Sequence, residues 1–318
     1  MAEQGRCGAL RTDLRTRPGA LRASAAAGAA ALLLAACGSP RPSRAVGPSA
    51  ADLAQARVVS IIAAAPAATL AQGTASVSLT ATRDASGDNV TMVGVDDFAT
   101  HRLQAQLAIP GGGTIAGVFD NGVVYEKIPG LAAQDGGKPW LKIDLPGLEQ
   151  NGGALGGLGQ MLEQELSTTQ SNPDRQLDLL NGVSGTVSTV GDEPIGGVPT
   201  THYWFTTDLN KVIASLSGDA RSAFQQLATA LGTGSPLVDV WIDGQGVVRQ
   251  LHIAETYDPK AGAAPYGLPA SALPRAVGLT ITYSNFGAPA VITDPPPGQT
   301  ADLSQLLPGS PNGGTPAV

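Results

Sequence analysis

The sequence predicts an α+β fold: an antiparallel meander of about eleven strands forming a curved sheet, with a few amphipathic helices over one of its faces. Three observations predict it. Apolar and polar residues alternate along most of the middle of the chain, which is the period of a half-buried strand. Asn-Gly and Asp-Gly turn signals join neighbouring runs, and only a few stretches show the three-and-four spacing of a helix.

The N-terminal residues determine where such a fold would operate. Arg6, Arg11, Arg15, Arg17 and Arg22 precede an apolar run, Ala23–Ala36, that ends in Leu34-Ala35-Ala36-Cys37-Gly38-Ser39. Residues 1–36 therefore read as a lipoprotein signal peptide, with an apolar stretch too short to span a bilayer. The small residues before Cys37 form a bacterial lipobox, in which the thiol is alkylated by a diacylglyceryl group and cleavage makes Cys37 the lipidated first residue. At roughly 0.8 kcal/mol per buried CH₂, two or three such chains hold a protein durably at a membrane. The expected location is the outer face of the cytoplasmic membrane, in the cell envelope. Loss of residues 1–36 removes five Arg with Glu3 and Asp13, and so deepens the formal charge from −7 to −10. Cys37 is then the sole cysteine and is acylated, which leaves no disulfide and no thiol chemistry.

Residues 37–50 comprise this lipidated Cys and a Pro/Ser/Gly-rich tether. A single folded domain is expected over residues 51–293, and a Pro/Gly-rich, disordered tail over 294–318. Leu53, Val58, Val59, Ile61 and Ile62 mark a helix within Ala51–Leu70. Strands are expected at 74–82, 90–98, 101–109, 114–119, 123–128 and 138–144. Ala75, Val77, Leu79 and Ala81 alternate with hydroxyl residues in the first of these, and Asp120-Asn121-Gly122 turns the fourth into the fifth. A helical patch follows at Ala154–Thr169 and Pro173–Asn181, then strands at 184–192 and 197–207. The helix expected over Asp208–Leu231 carries Leu209, Val212, Ile213, Leu216, Phe224 and Leu227 on one side, with a break at Ser217-Gly218-Asp219. Strands 237–243 and 246–256, joined at Asp243-Gly244-Gln245-Gly246, and strand 276–286 complete the set.

Most common chemistries have no foothold in this sequence. It lacks G-x-S-x-G, H-E-x-x-H and Walker signatures, and the acidic balance argues against nucleic-acid binding. His101, His202 and His252 fall on three different expected strands and read as hydrogen-bonded sheet residues. Gly111-Gly112-Gly113-Thr114-Ile115-Ala116 follows Pro110 and leads into a strand, so it is a turn and not a dinucleotide site. Asp96 and Asp97 are adjacent on a strand and point to opposite faces. Asp243 and the pair Asp192-Glu193 belong to turns. The chain reads as a non-enzyme that needs no cofactor and no metal.

Eleven antiparallel strands could close into a barrel, stack as a sandwich or curl into an open barrel plugged by helices. Val198, Trp204, Val240, Val277, Leu279 and Ile281 would line a cavity in such a sheet, or fill its core. The order of lipobox, tether, helix, meander and helical patch continues with Val190-Gly191-Asp192-Glu193-Pro194-Ile195-Gly196-Gly197-Val198-Pro199-Thr200-Thr201-His202-Tyr203, another helix, and Val238-Asp239-Val240-Trp241-Ile242-Asp243-Gly244-Gln245-Gly246-Val247-Val248-Arg249. In this it resembles the LppX/LprG group of actinobacterial lipoproteins within the LolA/LolB-like superfamily, over residues 51–293. That resemblance implies a half-open antiparallel barrel with helices over its concave face and mouth. It also implies an apolar pocket for acyl chains of lipids or lipidated molecules, with no catalytic residue. The expected partners are the membrane, through the anchor, a lipid ligand, and an envelope transporter of unknown identity. The competing expectation is a barrel filled by its own side chains, serving as a non-enzymatic interaction or sensor module.

Overall fold

Among the described residues, twelve strands make one open sheet in the order β12-β6-β5-β4-β3-β2-β1-β11-β10-β9-β8-β7. The computed structural model describes residues 47–83, 89–111, 113–127, 130, 132, 136–150, 173–232, 235–256 and 276–306. Cys37, most of the tether, the expected helix Ala154–Thr169 and the loop 258–275 lie outside the described residues. Contacts divide the chain at Gly47, and Pro48 onward is one unit.

The first element is α1 (Ala50–Leu70), started by a capping box in which the Ser49 hydroxyl accepts the Asp52 N–H and the Asp52 carboxylate accepts the Ser49 N–H. A meander follows: β1 (Thr74–Arg83), β2 (Asn89–Asp97), β3 (Arg102–Ile109), β4 (Gly113–Asp120), β5 (Val123–Lys127) and β6 (Trp140–Asp144). The β4–β5 turn is tight because Asn121 and Gly122 both take positive φ, 47° and 85°, as a two-residue hairpin of this hand requires. After the short α2 (Leu145–Gln150) and a 3-10 helix at Pro173–Gly182 come β7 (Val183–Ile195) and β8 (Val198–Thr207), joined at Gly196-Gly197. The expected long helix is indeed broken, into α3 (Leu209–Ser215) and α4 (Gly218–Leu231). The hairpin of β9 (Leu237–Asp243) and β10 (Val248–Thr256) begins at Asp243, whose Oδ1 accepts the N–H groups of Gln245 and Val247. β11 (Ala276–Ser284) then pairs with β1, so the first and last long strands meet at the centre of the sheet.

Two expectations need correction. His101 is in the β2–β3 turn with φ 56°, not on a strand, because the turn from Asp97 to Arg102 uses it as its left-handed residue. The domain also continues past residue 293. Arg102 bonds the Ile292 carbonyl and pairs with Asp294 and Asp120, while Thr300–Asp302 form β12, parallel to β6, followed by α5 (Leu303–Leu306). Of the expected tail, residues 294–306 are thus part of the sheet structure, and residues 307–318 lie outside the described residues.

The core lies on one face of the sheet. Tyr203, Val240, Leu251, Ile281, Leu79, Met92 and Leu107 are successive cross-strand partners from β8 to β3, and Phe205, Val238, Ile253, Leu279 and Ala81 form the next row. Opposed apolar side chains of this kind are the unit that holds a sheet. Against these rows pack Ile62 and Ala65 of α1, Leu177, Leu179 and Leu180 of the 3-10 helix, Val212 of α3, and Phe224 and Leu231 of α4. A smaller cluster, Val124, Ile143, Leu145 and Leu148, closes the β5–β6 end.

Candidate ligand site

The helix-covered face carries the apolar rows, and its β8–β11 half is occupied by the protein itself. Val240, Val277, Leu279 and Ile281 are all buried there. The helices are tied down by polar contacts. Thr69 Oγ1 donates to the Ala65 carbonyl and accepts the Val248 N–H at 2.9 Å, which fastens α1 to β10. Thr207 Oγ1 donates to the Leu179 carbonyl, and Tyr283 Oη donates to the Pro173 carbonyl at 2.6 Å, fastening the 3-10 helix to β8 and β11.

Space remains at the rim. A cavity of about 860 Å³ opens between Ile61 of α1, the end of the β7–β8 hairpin, and the β9–β10 turn. Tyr203 and Ile242 form its sheet wall, and Asp192, Glu193 and Thr201 border it. Its size is within the range of small-molecule pockets. A second space, about 530 Å³, lies on the opposite face of the sheet, where the segment Val291–Pro296 crosses above Val93, Val118 and Trp140.

A polar island interrupts the apolar face where β2 meets the 3-10 helix. Asp96 is 2% exposed, and its Oδ2 and Asp174 Oδ1 have no hydrogen-bond partner. Burial, then the nearby Asp174 and Asp97 carboxylates, push the Asp96 pKa up to about 8. Burial and Asp174 raise that of Asp178 to about 6, against the pull of Arg175. Asp174 is itself raised by burial, opposed mainly by Arg175, and burial drives the Tyr283 phenol well above its ordinary value. The sequence reading places Asp96 and Asp97 on opposite faces, and that is what is seen: Asp97 instead accepts the Ala99 and Thr100 N–H groups of the turn. No local pattern could have joined Asp96 to Asp174 and Tyr283, which are far apart in the chain.

The six expected lining residues divide by face, and none borders either cavity. Trp204 is 39% exposed between the buried Tyr203 and Phe205, so it points away from the helices and is not a cavity wall. Val198 shares that parity and is half-buried beside the hairpin turn. Tyr203, Ile242 and Ile61 line the rim cavity instead; the signal for Tyr203 lies in the same alternation, read on the other parity of β8, and Ile242 shares the parity of Val240 on β9.

The outer face carries the remaining histidines. His202 stacks on Trp241 with ring centroids 4.1 Å apart, and its Nε2 is 2.8 Å from Asp239 Oδ1. Trp241 Nε1 donates to Glu193 Oε2, and His252 Nδ1 is 3.0 Å from Thr280 Oγ1. Each ring is thus held by sheet neighbours, as a structural histidine is. Among the described residues, no group of three His, Cys, Asp or Glu side chains could hold a metal ion.

No family model matches the chain. Its sequence is similar to an uncharacterized 31.2 kDa protein from the rplA–rplJ intergenic region of Streptomyces griseus, at 27% identity over 180 residues, 56% of this chain and 52% of that protein. The chain thus spans about half the length of that curated relative. Among solved structures it is similar to lipoprotein LppX of Mycobacterium tuberculosis, with a TM-score of 0.45 and 13% identity over 75% of this chain and 99% of LppX. It is also similar to LprF of Mycobacterium bovis, with a TM-score of 0.42 and 15% identity over 76% and 97% of the two chains.

Proposed function

We propose that this protein is a lipid-anchored lipoprotein of the cell envelope that binds, and passes on, acyl-chain ligands, and that it catalyses no reaction. The observation that carries the reading is the cavity of about 860 Å³ that opens beside Tyr203 and Ile242 at the rim of the apolar rows. An acyl chain leaving water for such a surface gains about 25 cal/mol per Å² of apolar area covered. Cys37, acylated, would hold the protein on the outer face of the cytoplasmic membrane, within reach of both a lipid donor and an envelope transporter. Two experiments test this. A fluorescent fatty acid should bind the delipidated protein and be displaced by long-chain lipid, and Ile242→Glu at the rim should weaken it at least tenfold; absence of binding contradicts the proposal. Cys37→Ala should move the protein from the membrane to the soluble fraction, and a membrane-retained variant would refute the anchor.

One observation favours the alternative of a filled interaction module: Val240, Leu279 and Ile281 are already part of the core cluster that the protein's own helices complete. The two readings separate on the same probe, because a filled sheet binds none.

A further inference from the structure

We propose that the outward side of α1 is a membrane-docking face, which seats the protein on the bilayer with the rim cavity at the lipid surface. The proposal rests on the anchored-lipoprotein reading above and adds to it the orientation of the domain.

Of the 21 residues of α1, Asp52 and Arg57 alone are charged. Its most apolar stretch has a mean hydropathy of 1.5, in the range of a membrane-crossing helix, yet only 22% of that stretch is buried. A helix on the surface of a water-soluble domain concentrates polar residues on its wet side, and one that is apolar all round belongs in a core or a bilayer. α1 does neither alone. Ile62, Ala65, Pro66 and Thr69 enter the core. The other side presents Leu53, 58% exposed, and Ile61, 36% exposed, with Arg57 one turn from each. The helix is therefore half of a membrane helix, and its second half lacks a cover among the described residues.

Two features identify a lipid bilayer as that cover. Cys37 is twelve residues before the cap residue Ser49, so even a fully extended connection reaches no more than about 43 Å, and α1 is the first described element after the proposed anchor in the chain. The mature chain carries a net charge of −10, so an acidic leaflet does not attract it, and the contact has to be apolar. Arg57 fits that geometry, since its stem can lie along the apolar face while the guanidinium stays at the headgroups. Ile61 belongs both to this face and to the wall of the rim cavity, so docking would give an acyl chain a continuous path from bilayer to cavity.

The test uses the full mature lipidated chain in phosphatidylcholine vesicles. Because Cys37 is acylated, Leu53→Cys supplies a single free thiol for an environment-sensitive fluorophore, and Val291→Cys, 83% exposed on the opposite face of the sheet, supplies the control. The label at 53 should shift to the blue and brighten in vesicles and persist at high salt, while the label at 291 stays aqueous. An aqueous signal at 53, equal shifts at both sites, or a shift at 53 that appears without vesicles, as a dimer would give, each overturns the proposal. Protein that does not float with the vesicles overturns it as well. Native mass spectrometry of the same samples reports bound lipid separately, so failure of docking and failure of lipid carriage are distinguishable.

Discussion

Asp96 stands on the helix-covered side of β2 with one oxygen that bonds to nothing, and its proton is therefore part of the fold. Its folded pKa, about 8, is above the ordinary carboxylate value near 3.9. The folded state thus binds the proton more tightly than the unfolded chain, and the stability this contributes is complete below about pH 4 and is lost as pH rises to about 8. Asp178, at about 6, acts in the same direction over the lower part of that window. Asp96→Asn keeps the shape and removes the charge. It should raise stability at pH 8 relative to the wild type, by removing the charge that burial and Asp174 disfavour, and flatten the profile between pH 6 and 8. Urea unfolding at pH 5 and pH 8 checks this; a variant with the wild-type pH slope would show that the proton is elsewhere.

At the scale of elements, two of the joints between the helices and the sheet are open to direct test. Thr69 satisfies the buried Val248 N–H, so Thr69→Val should cost about 1–3 kcal/mol while Thr69→Ser restores most of it, read from denaturant midpoints. Gly182 ends the 3-10 helix where a Cβ would come within 2.5 Å of Val212 Cγ2 and 2.8 Å of the Asp208 carbonyl. Gly182→Ala should therefore cost about 1–3 kcal/mol through overpacking, and thermal unfolding that is unchanged would deny the close approach. These joints also mark the limit of what the sequence discloses. Hairpins such as Asn121-Gly122 and the Asp243 turn are local, and are legible because two or four residues determine them. The side on which Trp204 lies is not legible locally because β8 has bulky aromatics on both parities, and only register with Val238 and Val240 decides which side faces the helices. β12 is three residues long and exists through its pairing with β6, too short to show any alternation.

At the scale of the molecule, a curled sheet carries a set of helices docked on its apolar face, and the proposed N-terminal anchor would hold it at a membrane. Helix α1 packs on β10 through Thr69 and walls the rim cavity with Ile61. The scarcity of charge in the sequence, 14% of its residues, fits that role. The central claim is that this surface holds lipid. The most direct measurement is native mass spectrometry of the protein, delipidated and then exposed to total envelope lipid. The account predicts a species heavier by one or more lipid molecules, lost on Ile242→Glu. Protein that stays empty under all lipid loads would contradict it and leave the filled interaction module in its place.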